Sequence, residues 1–219
     1  MGQLVLADLQ KAAEARWRTH WLTGPSRRRW NELPLQVGDA GPDFTLLDAD
    51  GEPRSLSEHW MGQPALLLFW RHFGCGCGVG RAERLKAEYP KLVEAGARIA
   101  IIGQGEPERA AWYQDRFSIP GTLLVDPDEH VYRAYGLLEM SPWLLLGHSM
   151  PEPAYFDDII VKHREMGRPV ADNPFLLPGE FVVDATGQLV LTYRYQYCDN
   201  YPETEVLVDA IAEARHTPG

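Results

Sequence analysis

Cysteine is scarce in this chain, with three residues in 219. That excludes the small domain stapled by several disulfides. Long hydrophobic runs are also missing. The longest, residues 65–70, spans six apolar residues, where a membrane-spanning helix needs about 20. The N-terminal sequence has no basic region followed by an apolar stretch and no small-residue cleavage site. We therefore read no signal peptide and expect a cytoplasmic chain that does not associate with membranes. Positive charge is in deficit: 21 Lys and Arg face 31 Asp and Glu, for a net charge of −10. A negative field disfavours nucleic acid and anionic lipid as partners. The one basic run, Arg27 to Arg29, reads as a solvated turn paired with acidic neighbours. Hydrophobic residues make up 45% and charged residues 24%, as in ordinary globular proteins. The length suits one large domain, or a domain with extensions.

Residues 3–20 have apolar positions at helical spacing (Leu4, Leu6, Leu9, Ala13, Trp17), and Gly24 and Pro25 end the pattern. Residues 39–56 predict a hairpin around the turn sequence Asp48-Ala49-Asp50-Gly51. From residue 65 the pattern changes. Continuous apolar runs at 65–70, 97–103 and 122–125 alternate with helical patterns at 81–95, 106–117 and 129–135. Short connections between such segments predict a parallel α/β core with strands buried on both faces. Pro90 lies inside the first of these helices and predicts a kink. Residues 137–177 interrupt the rhythm, with a helix-like stretch at 154–166 between segments rich in Pro and Gly. Segments 180–183 and 189–195, joined by Asp184-Ala-Thr-Gly187, predict an antiparallel hairpin, and 203–215 a final helix.

The sequence Phe69-Trp-Arg-His-Phe-Gly-Cys75-Gly-Cys77-Gly-Val-Gly-Arg81 joins the first buried strand to the first core helix. It puts Cys75 at the carboxyl end of a parallel strand, the edge at which open α/β sheets bind ligands. A helix N-terminus favours an anion there, and so a thiolate. Gly74 and Gly76 clear side chains from around the sulfurs and admit a substrate closely. Arg71 and His72 add positive charge. A bond between Cys75 and Cys77 would be strained and readily reduced, hence catalytic or sensing. Cys198 follows the last strand. If the hairpin joins the same sheet antiparallel to the core strands, Cys198 lies on the same rim as Cys75. Pro178 then enters the adjoining strand opposite Cys75.

Three uses of these sulfurs are open at this point: redox or nucleophilic chemistry, metal binding, and inert packing. Metal binding would draw on Cys75, Cys77, Cys198 and His72, but no second close ligand pair accompanies them. The remaining histidines (His20, His59, His130, His148, His163 and His216) are scattered.

The chain resembles the peroxiredoxin-like, alkyl hydroperoxide reductase/thiol-specific antioxidant group of thioredoxin-fold proteins. The resemblance is carried by Val37-Gly-Asp-Ala-Gly-Pro-Asp-Phe44 and by Leu66-Leu-Leu-Phe-Trp-Arg-His-Phe-Gly-Cys75. Leu124-Val-Asp126, Tyr132-Arg-Ala-Tyr-Gly136 and Pro178-Gly-Glu-Phe-Val-Val-Asp184 complete it. It implies a thioredoxin-like α/β fold, a central mixed sheet flanked by helices. Residues 1–34 would be an N-terminal helical extension and 35–219 the thioredoxin-like domain, with an insertion at 137–177 before the C-terminal hairpin. It also implies that Cys75 sits where the family's attacking cysteine sits, and Pro178 at the position of the cis-proline facing it. The family's threonine three residues before that cysteine is His72 here, and no arginine stands in 176–180.

The expected activity is a thiol-dependent oxidoreduction. Cys75 attacks a peroxide or a disulfide, Cys77 or Cys198 resolves the product, and Arg71 and His72 assist electrostatically. Reducing equivalents would come from a thioredoxin- or glutaredoxin-like protein or a small thiol, with no cofactor and no metal. The rival expectation is a metal-binding or redox-sensing module without turnover. A catalytically silent scaffold would instead use its N-terminal helix for homodimer contacts.

Overall fold

The computed structural model describes residues 3–71, 76–147 and 172–216. Helix α1 (Gln3–Thr23) precedes the hairpin β1 (Thr45–Asp48) and β2 (Pro53–Ser55) and the short α2 (Ser57–Trp60). The core follows as β3 (Ala65–Phe69), α3 (Gly76–Ala95), β4 (Arg98–Gly103), α4 (Pro107–Phe117), β5 (Thr122–Val125), α5 (His130–Ala134) and α6 (Pro142–Gly147). The chain closes with β6 (Gly179–Val183), β7 (Leu189–Arg194) and α7 (Thr204–His216). The expected helical stretch at 154–166 lies outside the described residues.

The seven strands of the described residues form one mixed sheet in the order β2-β1-β5-β4-β3-β6-β7. β3, β4 and β5 are parallel, and β6 runs antiparallel to β3 with Phe69 opposite Gly179. The C-terminal hairpin therefore belongs to the core sheet, which is the condition for Cys198 to share the rim of β3. Its turn is held by Asp184, whose Oδ1 accepts the Thr186 and Gln188 amides at 2.8 and 3.0 Å.

β3 is buried at all five positions because both sheet faces are covered. Leu66, Leu68 and Val182 point to the α3, α4 and α7 side with Leu85, Tyr113 and Ile211. Leu67, Phe69 and Phe181 point to the other side, against Trp60, Tyr132 and Tyr135. Alternation in a doubly covered strand thus separates two apolar layers rather than core from solvent.

Helix α3 begins at Gly76, five residues before the helical pattern in the sequence, and continues through Pro90. Glycine costs about 1 kcal/mol per helical residue relative to alanine, so the stretch from 76 to 80 gives no helical signal. The buried Gly78 and the apolar seating of Ala82 and Leu85 fix it instead.

Candidate active site

Strand direction places the site. The carboxyl ends of β3 and β4, the start of β6 and the end of β7 all meet at one rim. There Trp70 and Arg71 leave β3, Gln104 leaves β4, Pro178 enters β6, and Tyr195 and Cys198 follow β7. Two contacts anchor the exit of β3. The Trp70 amide donates to the Ile102 carbonyl at 2.9 Å. The buried Tyr132 hydroxyl reaches the carbonyls of Trp70 and Ile102, the latter at 2.9 Å.

Arg71 is buried, and its Nη1 donates to Cys198 Sγ at 2.6 Å. Cys198 is a free, buried thiol that donates in turn to Met140 Sδ at 3.8 Å. Its apolar neighbours are Met140, Leu145 and Phe175, with Trp21, Leu144 and Leu177 around them. Gln104 fixes the backbone behind Arg71. Its Nε2 donates to the carbonyl of Arg71 and to that of Asn173 at 3.1 Å, while its Oε1 accepts the Asn173 amide at 2.7 Å. Asn173 Nδ2 then bridges Glu129 and Glu139 at 2.8 and 2.5 Å. Burial, together with the charge of Glu139, raises the Glu129 carboxyl above its ordinary range.

On the helical side of the rim, Arg81 of α3 is buried between two carboxylates. Nε donates to Glu180 Oε1 at 3.0 Å and Nη1 to Glu88 Oε2 at 2.9 Å. Tyr195 donates its hydroxyl to the same Glu180 oxygen. Burial and the Glu180 charge hold that phenol well above its usual range, so it stays a donor. Burial alone would lower the Arg81 value, but Glu180, Tyr195 and Glu88 outweigh it and keep the guanidinium protonated. Glu180 Oε2 is buried and has no hydrogen-bond partner among the described residues.

A small cavity of about 10 Å³ opens between Arg71, Arg81, Tyr195, Tyr201, Cys198 and Pro178. That is room for one water-sized molecule.

Of the residues singled out in the sequence, Arg71, Cys198 and Pro178 come together here. Cys75, His72 and Gly74 lie outside the described residues, while Gly76 and Cys77 fall in the first turn of α3. One expectation is corrected: the Leu177–Pro178 peptide bond is trans, with no cis peptide among the described residues. The Pro178 carbonyl accepts the Tyr195 amide at 3.2 Å in continuation of the β6–β7 ladder.

Sequence reasoning missed Arg81, Glu180, Tyr195, Gln104 and Asn173. The available signal was a glutamate inside the otherwise buried strand sequence GEFVV, because a buried carboxylate calls for a charged partner. Among the described residues no group of three potential metal ligands occurs, and no helix is long and apolar enough to cross a membrane.

A sequence model of the AhpC/TSA family matches residues 37–192. The peroxiredoxin Bcp of Escherichia coli is 32% identical over 105 residues, covering 48% of this chain and 66% of that protein. The thiol-disulfide oxidoreductase ResA of Geobacillus thermodenitrificans is 29% identical over 106 residues, covering 47% of this chain and 59% of the relative. The chain thus spans between about half and just under two thirds of the length of the curated relatives it matches. Among solved structures, peroxidoxin BcpB from Mycobacterium tuberculosis superposes with a TM-score of 0.60 at 16% identity, covering 83% of this chain and 99% of that one. Peroxiredoxin Q from Xanthomonas campestris gives 0.57 at 17% identity, covering 83% and 98%. The mixed sheet with helices on both faces is the thioredoxin-like fold of these neighbours.

Proposed function

Because the chain belongs to the AhpC/TSA family, we propose that it is a thiol-dependent peroxidase or thiol–disulfide oxidoreductase with Cys75 as its attacking sulfur. The observation that carries this reading is the placement of Cys75 in the chain. It directly precedes α3 and follows a strand whose carboxyl end reaches the rim where Arg71, Arg81, Pro178 and Cys198 converge. A sulfur entering a helix of 20 residues meets unpaired amides and the positive end of the helix dipole.

With a peroxide, the Cys75 thiolate attacks one oxygen. The S–O bond forms as the O–O bond breaks, and the departing oxygen takes a proton to leave as water or an alcohol. The Cys75 sulfenic acid then condenses with the thiol of Cys77 or Cys198, forming a disulfide and releasing water. An external dithiol protein or small thiol returns both sulfurs to the reduced state and is itself oxidised. With a disulfide substrate, the same thiolate displaces one substrate sulfur, and the second cysteine releases the other. Gly74 and Gly76 leave space for either substrate, and Arg71 and His72 favour the anionic forms on the pathway. No step calls for a metal or an organic cofactor. A cytoplasmic location and a homodimer complete the reading.

The test is reductant-linked turnover of hydrogen peroxide and of an insulin disulfide, with Cys75→Ser, Cys77→Ser and Cys198→Ser compared with the parent. Cys75→Ser is expected to lose both activities. Loss of whichever of Cys77 and Cys198 resolves should trap a sulfenic acid that dimedone labels on Cys75. Parental turnover by Cys75→Ser in both assays overturns the proposal.

A further inference from the structure

The sequence reads Arg27 to Arg29 as a turn paired with acidic neighbours, and the structure places the run otherwise. All three arginines are exposed, and none of them forms an ion pair among the described residues. Their hydrogen bonds are local: the Arg28 amide donates to Ser26 Oγ at 3.1 Å, and Arg29 Nη1 to the Arg28 carbonyl at 2.9 Å. Both ends of the run are anchored to one segment. The Ser26 amide donates to Glu139, and Trp30 Nε1 donates to the Gly136 carbonyl at 2.9 Å. That segment flanks the rim, because Met140 lies against Cys198. Arg194, the last residue of β7, stands over the Trp30 ring at 6.0 Å and is itself held by the Tyr135 and Leu35 carbonyls at 3.0 and 2.9 Å. Trp30 nevertheless keeps 50% of its surface exposed, and Leu33 keeps 87%. A fixed, half-exposed tryptophan beside an exposed leucine and unpaired arginines has the composition of an interface, where Trp and Arg are enriched.

Three exposed positive charges are out of character with a chain of net charge −10. The field of the whole molecule favours a basic partner, so a local positive patch selects an acidic one against that field. We infer that residues 27–33 are a docking surface for the acidic face of a dithiol protein, the reductant of the reaction proposed above. The partner's redox role rests on that reading, and the place of the patch supports it, since a reductant has to approach the rim. The partner's thiolate attacks the disulfide formed on this chain, and its second thiol displaces the mixed disulfide. The chain regains two thiols, taking up the protons that the partner gives, and the partner leaves as a disulfide.

Two short dithiol peptides are the probes, alike except that the glutamates of one are lysines in the other. With hydrogen peroxide as oxidant, turnover with each peptide is expressed relative to dithiothreitol on the same protein. It is corrected for the two peptides' rates with a small uncharged disulfide. The glutamate peptide is expected to show a kcat/KM about tenfold above that of the lysine peptide, the combined weight of three exposed charge pairs. Sodium chloride at about 0.5 M should remove the difference. The Arg27→Glu/Arg28→Glu/Arg29→Glu protein should reverse the preference, which a loss of structure alone would not do. Binding is measured separately, by fluorescence anisotropy of labelled peptides with serine in place of cysteine, and should show the same preference and the same reversal. Equal binding of the two peptides, or tighter binding of the lysine peptide, overturns the inference. Tighter binding of a single-stranded oligonucleotide of equal charge would overturn it in favour of nucleic acid. A changed oligomeric state of the charge-reversed protein in sedimentation would overturn it in favour of a second copy. Anisotropy involves no sulfur chemistry, so it decides the docking surface whether or not any dithiol supports turnover. Absence of turnover with dithiothreitol counts against the Cys75 reading alone.

Discussion

Gly105 stands in the turn between β4 and α4 with φ of +106°. A β-carbon there would fall on the Arg109 guanidinium. Two costs would therefore combine on substitution: a backbone conformation unfavourable for an L-residue, and displacement of a buried cation from its carboxylates. Arg109 is bonded to Asp172 and lies 2.8 Å from Glu106, so its displacement strips a paired charge of its partner. Gly38 offers a control, since its φ is +92° but nothing lies within 4 Å of the position a β-carbon would take. Gly38→Ala is expected to cost about 1 kcal/mol, the strain alone. Gly105→Ala should cost clearly more, about 3 kcal/mol once the lost ion pair is added. Urea unfolding of both variants measures the difference. Equal losses would mean that Arg109 relaxes freely and that its ion pair contributes nothing.

At the scale of elements, α1 is joined to the sheet rim by side chains rather than by backbone. Arg16 reaches Asp172 and Glu106, the latter at 2.7 Å, and Arg109 of α4 binds the same Asp172. Trp17 stacks on Trp21 and Trp21 on Phe175, each pair with ring centroids 5.5 Å apart. Phe175 and Trp21 in turn pack against the cluster that covers Cys198. Asp172→Ala removes the carboxylate shared by two arginines, one of them fully buried, and should destabilise the protein by about 3 kcal/mol. It should also loosen the tryptophan stack, read as a shift in tryptophan fluorescence and faster labelling of Cys198 by a thiol reagent. Unchanged labelling would mean that α1 does not guard this sulfur.

Much of this arrangement was legible in the sequence, and the exceptions have physical causes. Continuous apolar runs identified β3, β4 and β5, and the Asp-Ala-Thr-Gly turn identified the β6–β7 hairpin that brings Cys198 to the rim. Local periodicity cannot show that Asp172 pairs with residues 63 and 156 positions away. Nor does it show that Arg71 turns toward Cys198, 127 residues distant. The glycines at 76, 78 and 80 masked the first turns of α3.

For the whole molecule, the burial of charge makes stability depend on acid. A chain with a net charge of −10 carries one knot of buried opposite charges joining α3, β6 and α7. Arg81 binds Glu180 and Glu88, and Glu88 also accepts from Arg84 and, at 2.8 Å, from Thr204. Burial alone would raise the Glu88 carboxyl value. The Arg81 charge and the hydrogen bonds from Arg84, Thr204 and Arg81 outweigh it and hold the value below the ordinary 4.5. A carboxyl depressed in the folded state stabilises that state while both folded and unfolded forms are ionised. Its contribution is therefore fully present above the ordinary value of 4.5 and is lost as the pH falls through the lower, folded value. Glu88→Gln keeps the shape but lacks the charge. Urea denaturation at a series of pH values should show the variant less stable than the parent by a constant gap from neutrality down to about pH 5. The gap should then narrow and close as the parent's carboxyl takes up its proton, while Arg81 keeps Glu180 as a partner in both proteins. A gap independent of pH would assign the stability of this knot to packing and neutral hydrogen bonds, and would remove charge pairing as the force that joins α3 to the C-terminal hairpin.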